Sequence, residues 1–361
     1  MEKILVYGMT DNPGGIESYL LSVLEIFKND DVHFDFVTDF PAVSDPDALK
    51  RYGAVVHYIP PKGKGLVKHW KELCTLLKAH PEYQKIYFNI LDAGAVFSMV
   101  IPWIYRREII AHSHNGATDK ERLHNLCRPW LRMMTDKFVA CSHLAASFMF
   151  GNNIEKYKKV EIVPNAIECS KFKYNSEIRK EKRNELDIQQ NYVILHVGRL
   201  TRQKNPKGVI DIFQQLSMLD DSALLLSVGT GDQEEIIKDY ISAKGLTKKV
   251  KLLGVRNDVA EIMQAADVFL LPSLYEGFPI VCVEAQAAGL PCAISDTITE
   301  EVDLSGRVKF LALDRDYKEW AAELMPLKDF PRQSSIQQLI DAGYDNEHSE
   351  TRKNILKRIF K

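Results

Sequence analysis

The segment EGFPIVCVE (276–284) places two carboxylates eight residues apart, around an interior that is mostly apolar. It follows VFLLPS (268–273), whose continuous apolar run is typical of a strand covered on both faces. Pro279 suits the first turn of a helix, because its missing N–H has no partner there. Gly289 and Pro291 would end that helix. The pattern predicts a helix that begins directly after a buried strand.

The amino end of this helix is a candidate anion site, since unpaired backbone N–H groups and the helix dipole favour a phosphate there. Carboxylates cannot bind that phosphate, but Glu276 and Glu284 can accept hydrogen bonds from hydroxyl groups on either side of it. A sugar and a ribose would satisfy both. The simpler alternative is that Glu276 only complements the helix dipole and Glu284 is exposed. The N–H groups would come from Gly277, Phe278, Ile280 and Val281, and Pro279, which has none, lies between them in the predicted binding segment.

Three further segments follow predicted strands and carry groups that a nucleotide would need. HVGRLTRQKNP (196–206) offers Arg199 and Lys204, whose charges could meet a diphosphate. Gly229, in a glycine-rich turn, could let the backbone approach a ligand, although the third glycine of a dinucleotide fingerprint is missing. Arg256, with its neighbour Val255, could pack on a nucleobase. Each segment alone is also compatible with an ordinary solvated loop.

The first half of the chain carries two weaker candidates. Gly14 and Gly15 directly precede a predicted helix, where their amides could meet a phosphate or an acceptor, or simply form a tight turn. In AHSHN (111–115), strand alternation puts His112 and His114 on one face. We expect these histidines to serve chemistry rather than bind a metal, because no third ligand is evident nearby.

Short strands alternate with helical patterns along the whole chain, which favours parallel sheets covered by helices. We predict two Rossmann-like, doubly wound domains, 1–168 and 169–345, facing a central cleft, with a basic helix (346–361) packing back on the first. Ligands of such folds bind at the carboxyl ends of the strands. The predicted strands are 3–9, 33–39, 54–60, 85–90, 108–114, 137–142, 160–165, 192–200, 223–229, 250–254, 268–273, 291–295 and 308–312.

Composition bounds the class of protein and its surroundings. A formal net charge of −2 gives no general attraction to nucleic acid. Six cysteines without paired spacing, and no signal peptide or long apolar run, predict a cytoplasmic protein with free thiols. Segments 62–78 and 122–134 mix basic residues, Trp and apolar residues, so they could lie at the inner face of an anionic membrane. Packing on the core is an equally open alternative for both.

Six segments occur together in an order that is typical of one enzyme family. With them the chain resembles the retaining GT-B glycosyltransferases of the family-4 type (group 1), which build bacterial polysaccharides and glycolipids. The block from Ser273 to Pro291 is fairly specific, whereas the first half is less so. The segments are GGIE (14–17), AHSHN (111–115), VPNAIE (163–168), HVGRLTRQKN (196–205), VGTGDQ (228–233) and SLYEGFPIVCVEAQAAGLP (273–291).

The resemblance implies a role for each matching residue. Glu276 would hold hydroxyls of the donor sugar, Glu284 would bind the ribose, and Arg256 would lie near the base. Arg199 and Lys204 would stabilise the departing diphosphate. Gly15 would approach the donor phosphate or the acceptor, and His114, or else His112, would be the histidine near the reacting centre. The implied reaction needs no metal and no cofactor beyond the nucleotide-sugar donor, for which the family favours a UDP-sugar.

Two other functions remain compatible with the same architecture. A sugar-nucleotide 2-epimerase would bind the same donor without an acceptor. A catalytically silent partner subunit would keep the fold but lose the charged residues, so the joint presence of His114, Arg199, Lys204, Glu276 and Glu284 argues against it. A dinucleotide dehydrogenase is disfavoured because neither half opens with GxGxxG.

Overall fold

The computed structural model describes residues 2–11, 14–332, 335–348 and 350–361. The chain forms two compact units, each with its own hydrophobic core. Unit 1 comprises Met1–Ala166 and Ser349–Lys361, and unit 2 comprises Ile167–His348. The boundary between the units thus lies within a few residues of the predicted position at 168/169.

Unit 1 is built on a parallel sheet of seven strands in the order β3-β2-β1-β4-β5-β6-β7. The order reverses between β1 and β4, so their carboxyl ends flank the topological switch point of this unit. The elements are β1 (Glu2–Tyr7), α1 (Gly15–Phe27), β2 (Val32–Thr38), α2 (Pro46–Arg51), β3 (Val56–Tyr58), α3 (Leu66–Ala79), β4 (Lys85–Ile90), α4 (Val96–Ile104), β5 (Glu108–Ser113), α5 (Glu121–Met134), β6 (Lys137–Ala140), α6 (His143–Phe150) and β7 (Val160–Ile162).

Unit 2 repeats the plan with a parallel sheet of six strands in the order β10-β9-β8-β11-β12-β13. Its switch point lies between β8 and β11. The elements are α7 (Cys169–Phe172), α8 (Ser176–Glu185), β8 (Tyr192–Val197), α9 (Pro206–Leu219), β9 (Ala223–Val228), α10 (Glu234–Ala243), β10 (Val250–Gly254), α11 (Val259–Ala265), β11 (Val268–Leu271), α12 (Ile280–Ala287), β12 (Cys292–Ser295), β13 (Val308–Leu311), α13 (Tyr317–Leu324) and α14 (Ile336–Asp341).

The last helix, α15 (Glu350–Phe360), belongs to the core of unit 1. Phe360 is fully buried there, with its ring against Phe27, Phe34 and Tyr87 at centroid distances of 5.6, 5.1 and 5.0 Å. Its neighbours come from α1, β2 and β4, so the helix closes one face of the sheet. The apolar positions of this basic helix therefore decide where it packs.

The predicted strands are all present, which confirms the two doubly wound α/β domains. Their ends differ from the prediction where the flanking residues turn away from the sheet: the segment 54–60 contributes only Val56–Tyr58. The charged stretch 170–190 contains the short helices α7 and α8 and no strand. The six cysteines, all within the described residues, form no disulfide.

In the described part of the chain, the helices are too short or too polar for any of them to cross a bilayer.

Phe360→Ala should lower the free energy of unfolding of unit 1 by about 3–5 kcal/mol, because it removes a fully buried aromatic ring and leaves a cavity. Urea unfolding followed by circular dichroism would measure the change. Asn354→Ala, at an exposed position of the same helix, should change the stability by less than about 0.5 kcal/mol. Equal effects of the two substitutions would show that α15 does not help to hold the unit together.

Candidate functional site

The strongest group of candidate residues lies at the switch point of unit 2. Arg199 and Lys204 follow β8, and Glu276 follows β11, the strand beside it on the other side of the reversal. Loops at such a point diverge to opposite faces of the sheet and leave a crevice at the carboxyl ends of the strands. The sheet order thus brings together two segments that are about 70 residues apart in sequence.

Lys204 and Glu276 form an ion pair across this point. Lys204 Nζ lies 2.6 Å from Glu276 Oε1, and the side chains are only 16% and 8% exposed. A pair so poorly hydrated interacts more strongly than a surface pair, and each partner keeps the other from being an isolated buried charge. The pair therefore holds a cation and a carboxylate in a fixed geometry, ready for a ligand that has both a negative group and hydroxyls.

Neighbours of Lys204 tie the same two loops by hydrogen bonds. Gln203 accepts from the amide of Leu274 (2.8 Å), and its Nε2 donates to the carbonyl of Tyr275 (3.1 Å). Asn205 Nδ2 donates to the carbonyl of Pro272 (3.0 Å). Three consecutive residues, 203 to 205, thus fasten the loop after β8 to the loop after β11.

Local sequence explains why Lys204 points this way. Residues Arg202–Lys204 form a 3₁₀ turn, and Asn205 then takes up a left-handed conformation (φ 52°) that asparagine tolerates. Its Oδ1 accepts from the amide of Gly208 (3.2 Å) and caps α9, with Pro206 in the first turn. A side chain at Gly198 would lie 3.3 Å from Cδ of Lys204, so glycine leaves room for the lysine stem.

Gly229 follows β9. Its missing side chain lets the backbone approach another loop of the protein closely. Its φ is 124°, and a Cβ there would lie 2.1 Å from the carbonyl oxygen of Gly198. Gly231 is equally crowded by the carbonyl oxygen of Leu200, at 2.3 Å. These contacts give glycine a packing role at both positions: it lets the turn after β9 press on the loop that carries Arg199. Contact of Gly229 with a ligand stays a prediction.

The helix α12 begins one residue later than predicted, with Pro279 as its N-cap, and Gly289 (φ 69°) lies just beyond its end. The ring of Phe278 is buried and stacks on Tyr344 at 5.1 Å, so this residue anchors the helix start through packing. Gly277, Phe278 and Ile280 still supply the backbone at the amino end of the helix, where an anion would be favoured.

Glu284 lies within α12 and is partly buried. Burial raises the pKa of its carboxyl to about 7, since no cation among the described residues offsets the loss of hydration. Glu276 and Glu284 are therefore not equivalent: the first is paired with a lysine, whereas the second has no ionic partner in the described part of the chain. A ligand hydroxyl is the kind of donor that the second could accept from.

Arg199 and Arg256 differ in whether the side chain forms an ion pair with the described residues. Arg199 is exposed and its side chain makes no ion pair with the residues that the structure describes. Arg256 is already held by Asp258, with Nε 2.7 Å from Oδ1 and Nη2 2.6 Å from Oδ2. Beside it, Val255 is 63% exposed. A base would thus meet the exposed valine and the planar face of an arginine that Asp258 fixes.

In unit 1 the two histidines differ in burial and in hydrogen-bond partner. His112 is fully buried, and its Nδ1 shares a hydrogen bond with the hydroxyl of Tyr87. His114 is partly exposed, and its Nε2 lies 2.9 Å from Asn89 Oδ1. Burial lowers the pKa of His114 to about 3, so the ring is neutral at physiological pH. The exposure favours His114 as the histidine that a ligand could reach.

The glycines before α1 border a loop that a carboxylate organises. Gly14 is the N-cap of α1 and Gly15 its first residue. Glu17 is buried and accepts hydrogen bonds from the amide and the hydroxyl of Thr10 (2.9 and 2.8 Å). A Cβ at position 14 would lie 2.9 Å from this carboxylate. Asn12 and Pro13 of the same predicted loop lie outside the described residues.

One group of potential metal ligands lies elsewhere in unit 2. Asp345, Glu347 and His348 bring ligand atoms within 4.8 Å of one another. Asp345 is nevertheless occupied by the amide of Cys169 (3.0 Å) and by the ring of His348 (2.6 Å). These contacts fit a structural turn at the end of unit 2, and the group shares no residue with the predicted site.

Sequence reasoning missed Gln203, Asn205 and Asn89, all of which contact predicted site residues or their loops. A signal existed for the first two, because they flank Lys204 in a segment that was already of interest. Asn89 carried one as well: a polar residue at the carboxyl end of an otherwise apolar strand, KIYFNI. Such a residue is a candidate for a buried hydrogen-bonding role.

The chain is similar in sequence to known glycosyltransferases. Residues 178–328, most of unit 2, match the family model of the glycosyl transferases group 1. A putative glycosyltransferase, EpsF, of Bacillus subtilis (strain 168) is 28% identical over 356 residues, which cover 94% of this chain and 91% of the relative. The UDP-Gal:alpha-D-GlcNAc-diphosphoundecaprenol alpha-1,3-galactosyltransferase of Escherichia coli is 36% identical over 143 residues, 38% of this chain and 37% of the relative.

Solved structures show the same architecture along the whole chain. The structure of Anabaena Alr3699/HepE in complex with UDP and glucose matches with a TM-score of 0.78 at 20% identity, over 99% of both chains. At this identity the likeness concerns the fold. The two parallel sheets, the structural match and the group 1 family model over residues 178–328 together support a glycosyltransferase with the GT-B fold.

Proposed function

We propose that this chain is a retaining glycosyltransferase that moves a sugar from a nucleotide-diphosphate donor, a UDP-sugar, to a saccharide or lipid-linked saccharide acceptor in cell-surface polysaccharide biosynthesis. The observation that carries the proposal is the ion pair of Lys204 with Glu276 at the switch point of unit 2. It places a cation for the diphosphate next to a carboxylate for sugar hydroxyls, beside a helix amino end.

Each part of the donor has a group of matching chemistry in unit 2. The diphosphate meets Lys204, Arg199 and the amino end of α12. The sugar hydroxyls donate to Glu276, and the ribose hydroxyls donate to Glu284. The base rests near Val255 and Arg256. These groups follow β8, β11 and β10, so the loops of one sheet edge suffice to bind an extended nucleotide sugar.

The chemical step breaks the bond between the anomeric carbon and the diphosphate oxygen and forms a bond to the acceptor oxygen. Negative charge develops on the leaving diphosphate, and Lys204 and Arg199 stabilise it in a preorganised site. The acceptor proton passes to an oxygen of the departing phosphate, on the same face of the sugar, so that the configuration is retained. In this proposal two side-chain cations supply the charge that a metal ion supplies in other sites.

Similarity adds support for UDP and for a lipid-linked acceptor. The E. coli relative is named for UDP-Gal and for a diphosphoundecaprenol-linked sugar, and its matched 143 residues are 36% identical to this chain. Analysis of the reaction products distinguishes the two alternative functions. A 2-epimerase would convert the UDP-sugar without an acceptor, whereas a silent partner subunit would bind it without turnover.

Calorimetric titration with UDP, GDP and ADP, with and without Mg²⁺, should show tight binding of UDP that does not depend on the metal. Because ionised Glu284 accepts ribose hydrogen bonds with both oxygens and more strongly than a neutral carboxyl, and its pKa is about 7, affinity should be weaker at pH 6 than at pH 8, by up to about tenfold. The sign follows from the raised pKa: the proton must leave before the nucleotide is bound well.

The matched control is Glu284→Gln, which should bind UDP more weakly and with a flatter pH dependence. Titration of the terminal phosphate of UDP, with a pKa of about 6, affects both proteins equally and cancels in the comparison. Failure of all three nucleotides to bind would remove the proposed function. Binding of UDP with the same pH dependence in both proteins would remove only the role of Glu284.

Lys204→Ala should lower the rate of transfer by at least about 100-fold, because it removes charge stabilisation of the leaving group. It should also lower the free energy of unfolding by about 2–4 kcal/mol, since Glu276 is left as a buried, unpaired carboxylate. The double variant Lys204→Ala/Glu276→Gln should regain most of the stability but none of the activity. Turnover close to that of the wild type in Lys204→Ala would contradict the assignment.

We also propose that α5 rests on an anionic membrane, which would bring a lipid-linked acceptor to the enzyme. Leu126, Trp130 and Met133 lie on one side of this helix and are 71%, 56% and 50% exposed. Exposed Arg122 and Arg132 accompany them. Exposed Trp and Leu between arginines are typical of interfacial helices. The other segment, 62–78, exposes mainly lysines and one aliphatic residue, Val67, as a helix packed on a core does.

Leu126→Ser/Trp130→Ser should weaken binding to vesicles that contain phosphatidylglycerol by about 10- to 100-fold at low salt, because two apolar side chains no longer enter the interface. Co-sedimentation would measure it. Val67→Ser on α3 is the control for removal of an exposed apolar side chain and should bind as the wild type does. If the double variant still sediments with vesicles as the wild type does, α5 is not the docking surface.

A further inference from the structure

A buried asparagine stands at the switch point of unit 1, in contact with the candidate histidine. Asn89 lies near the carboxyl end of β4 and is 4% exposed. In the sheet register its partner is His112, so both project from the face that α1 covers. His114 follows β5, where its amide donates to the carbonyl of Ile90 (3.1 Å). The two strands thus fix the separation between Asn89 and His114.

The position of the Asn89 backbone is fixed by its neighbour β1. A Cβ at Gly8 would lie only 2.3 Å from the carbonyl oxygen of Asn89, and Gly8 has a φ of 120°. Glycine is therefore required where β1 ends against β4. The close approach leaves β4 little freedom to shift at the point where Asn89 meets the histidine.

Hydrogen bonding decides which end of the amide faces the ring. Asn89 Nδ2 donates to the carbonyl of Tyr7 (3.4 Å), so Oδ1 is the atom that lies 2.9 Å from His114 Nε2. An amide oxygen can only accept a hydrogen bond. Nε2 of His114 must therefore carry the proton, which leaves Nδ1 of the neutral ring as an acceptor.

Neighbouring aromatic side chains fix the orientation of the His114 ring. The ring of His112 lies 3.9 Å from that of His114, and Tyr19 of α1 contacts it edge-on at 5.2 Å. The Tyr19 hydroxyl is bonded to that of Tyr87 (2.8 Å), which in turn bonds His112. Rotation of the His114 ring would break its bond to Asn89 and its contacts with these rings, so the direction of Nδ1 is set.

From this arrangement we infer that Asn89 is a positioning residue, which holds His114 as the neutral Nε2–H tautomer so that Nδ1 accepts a hydrogen bond from a hydroxyl of the bound sugar substrate. The inference rests on the proposed function for the identity of the substrate. The tautomer itself depends only on the contacts within unit 1. A histidine in the other tautomer would present a donor to that hydroxyl and lose the interaction.

Nitrogen-15 NMR of protein labelled at histidine tests the tautomer directly, with His114→Gln to assign the signal. In the wild-type protein we expect His114 to be neutral with its proton on Nε2. Asn89→Asp keeps an acceptor at the same place and should keep this tautomer. Asn89→Leu removes the acceptor, and His114 should then become a mixture of both tautomers, with kcat lowered by about 10- to 100-fold.

Thr135→Val is the matched control, since Thr135 is also a buried polar residue (7% exposed) of the same unit and its hydroxyl bonds only within its own helix, to the carbonyl of Leu131. It should leave the signal of His114 and kcat unchanged, whatever it does to stability. A proton on Nδ1 in the wild type, or an unchanged tautomer in Asn89→Leu, would overturn the inference. If no transfer is detected in the wild type, the proposed function fails, while the NMR result still decides the role of Asn89.

Discussion

The order of strands in each parallel sheet is the constraint on which the rest of the structure depends. Each sheet starts with a central strand and is extended first to one side and then to the other, so a crevice opens where the order reverses. In unit 2 that point brings Lys204 to Glu276, and in unit 1 it brings Asn89 to the end of β1. Sheets that are buried on both faces favour apolar residues within their strands, so most of the candidate residues lie at the carboxyl ends of the strands or in the loops that follow.

Glu276, just before α12, and Glu284, within it, lie in different electrostatic surroundings. The ion pair with Lys204 offsets the cost of burying the Glu276 carboxylate. Among the described residues Glu284 has no such partner, and burial raises its pKa to about 7. Glu276 is thus held in place by a cation, whereas a hydrogen-bond donor from a ligand would replace the hydration that Glu284 has lost. The apolar segment between them contributes to the burial of both carboxylates, and burial is what makes the presence or absence of a cationic partner important.

Much of this could be predicted from the sequence because the strands are short apolar runs and the candidate residues follow them directly. The pattern placed β8, β11 and α12 within a few residues, and it identified the residues of the Lys204–Glu276 pair without their contact. It could not show that Gly229 accommodates Gly198, or that Asp258 already holds Arg256, because both depend on contacts between separate loops. It could not distinguish His112 from His114 either, because their burial and their partners, Tyr87 and Asn89, depend on the neighbouring strand and helix.

The two units place different kinds of groups at equivalent positions. Unit 2 presents an ion pair, an exposed arginine and a helix amino end, all of which suit an anion that gains charge. Unit 1 presents a neutral histidine whose charge is opposed by burial, together with an asparagine that can only fix its tautomer. Hydroxyl groups need acceptors of defined direction, and a neutral ring nitrogen can supply one as a carboxylate can. His114 of unit 1 is therefore suited to orient a hydroxyl without adding charge, whereas Lys204 and Arg199 of unit 2 are suited to meet phosphates.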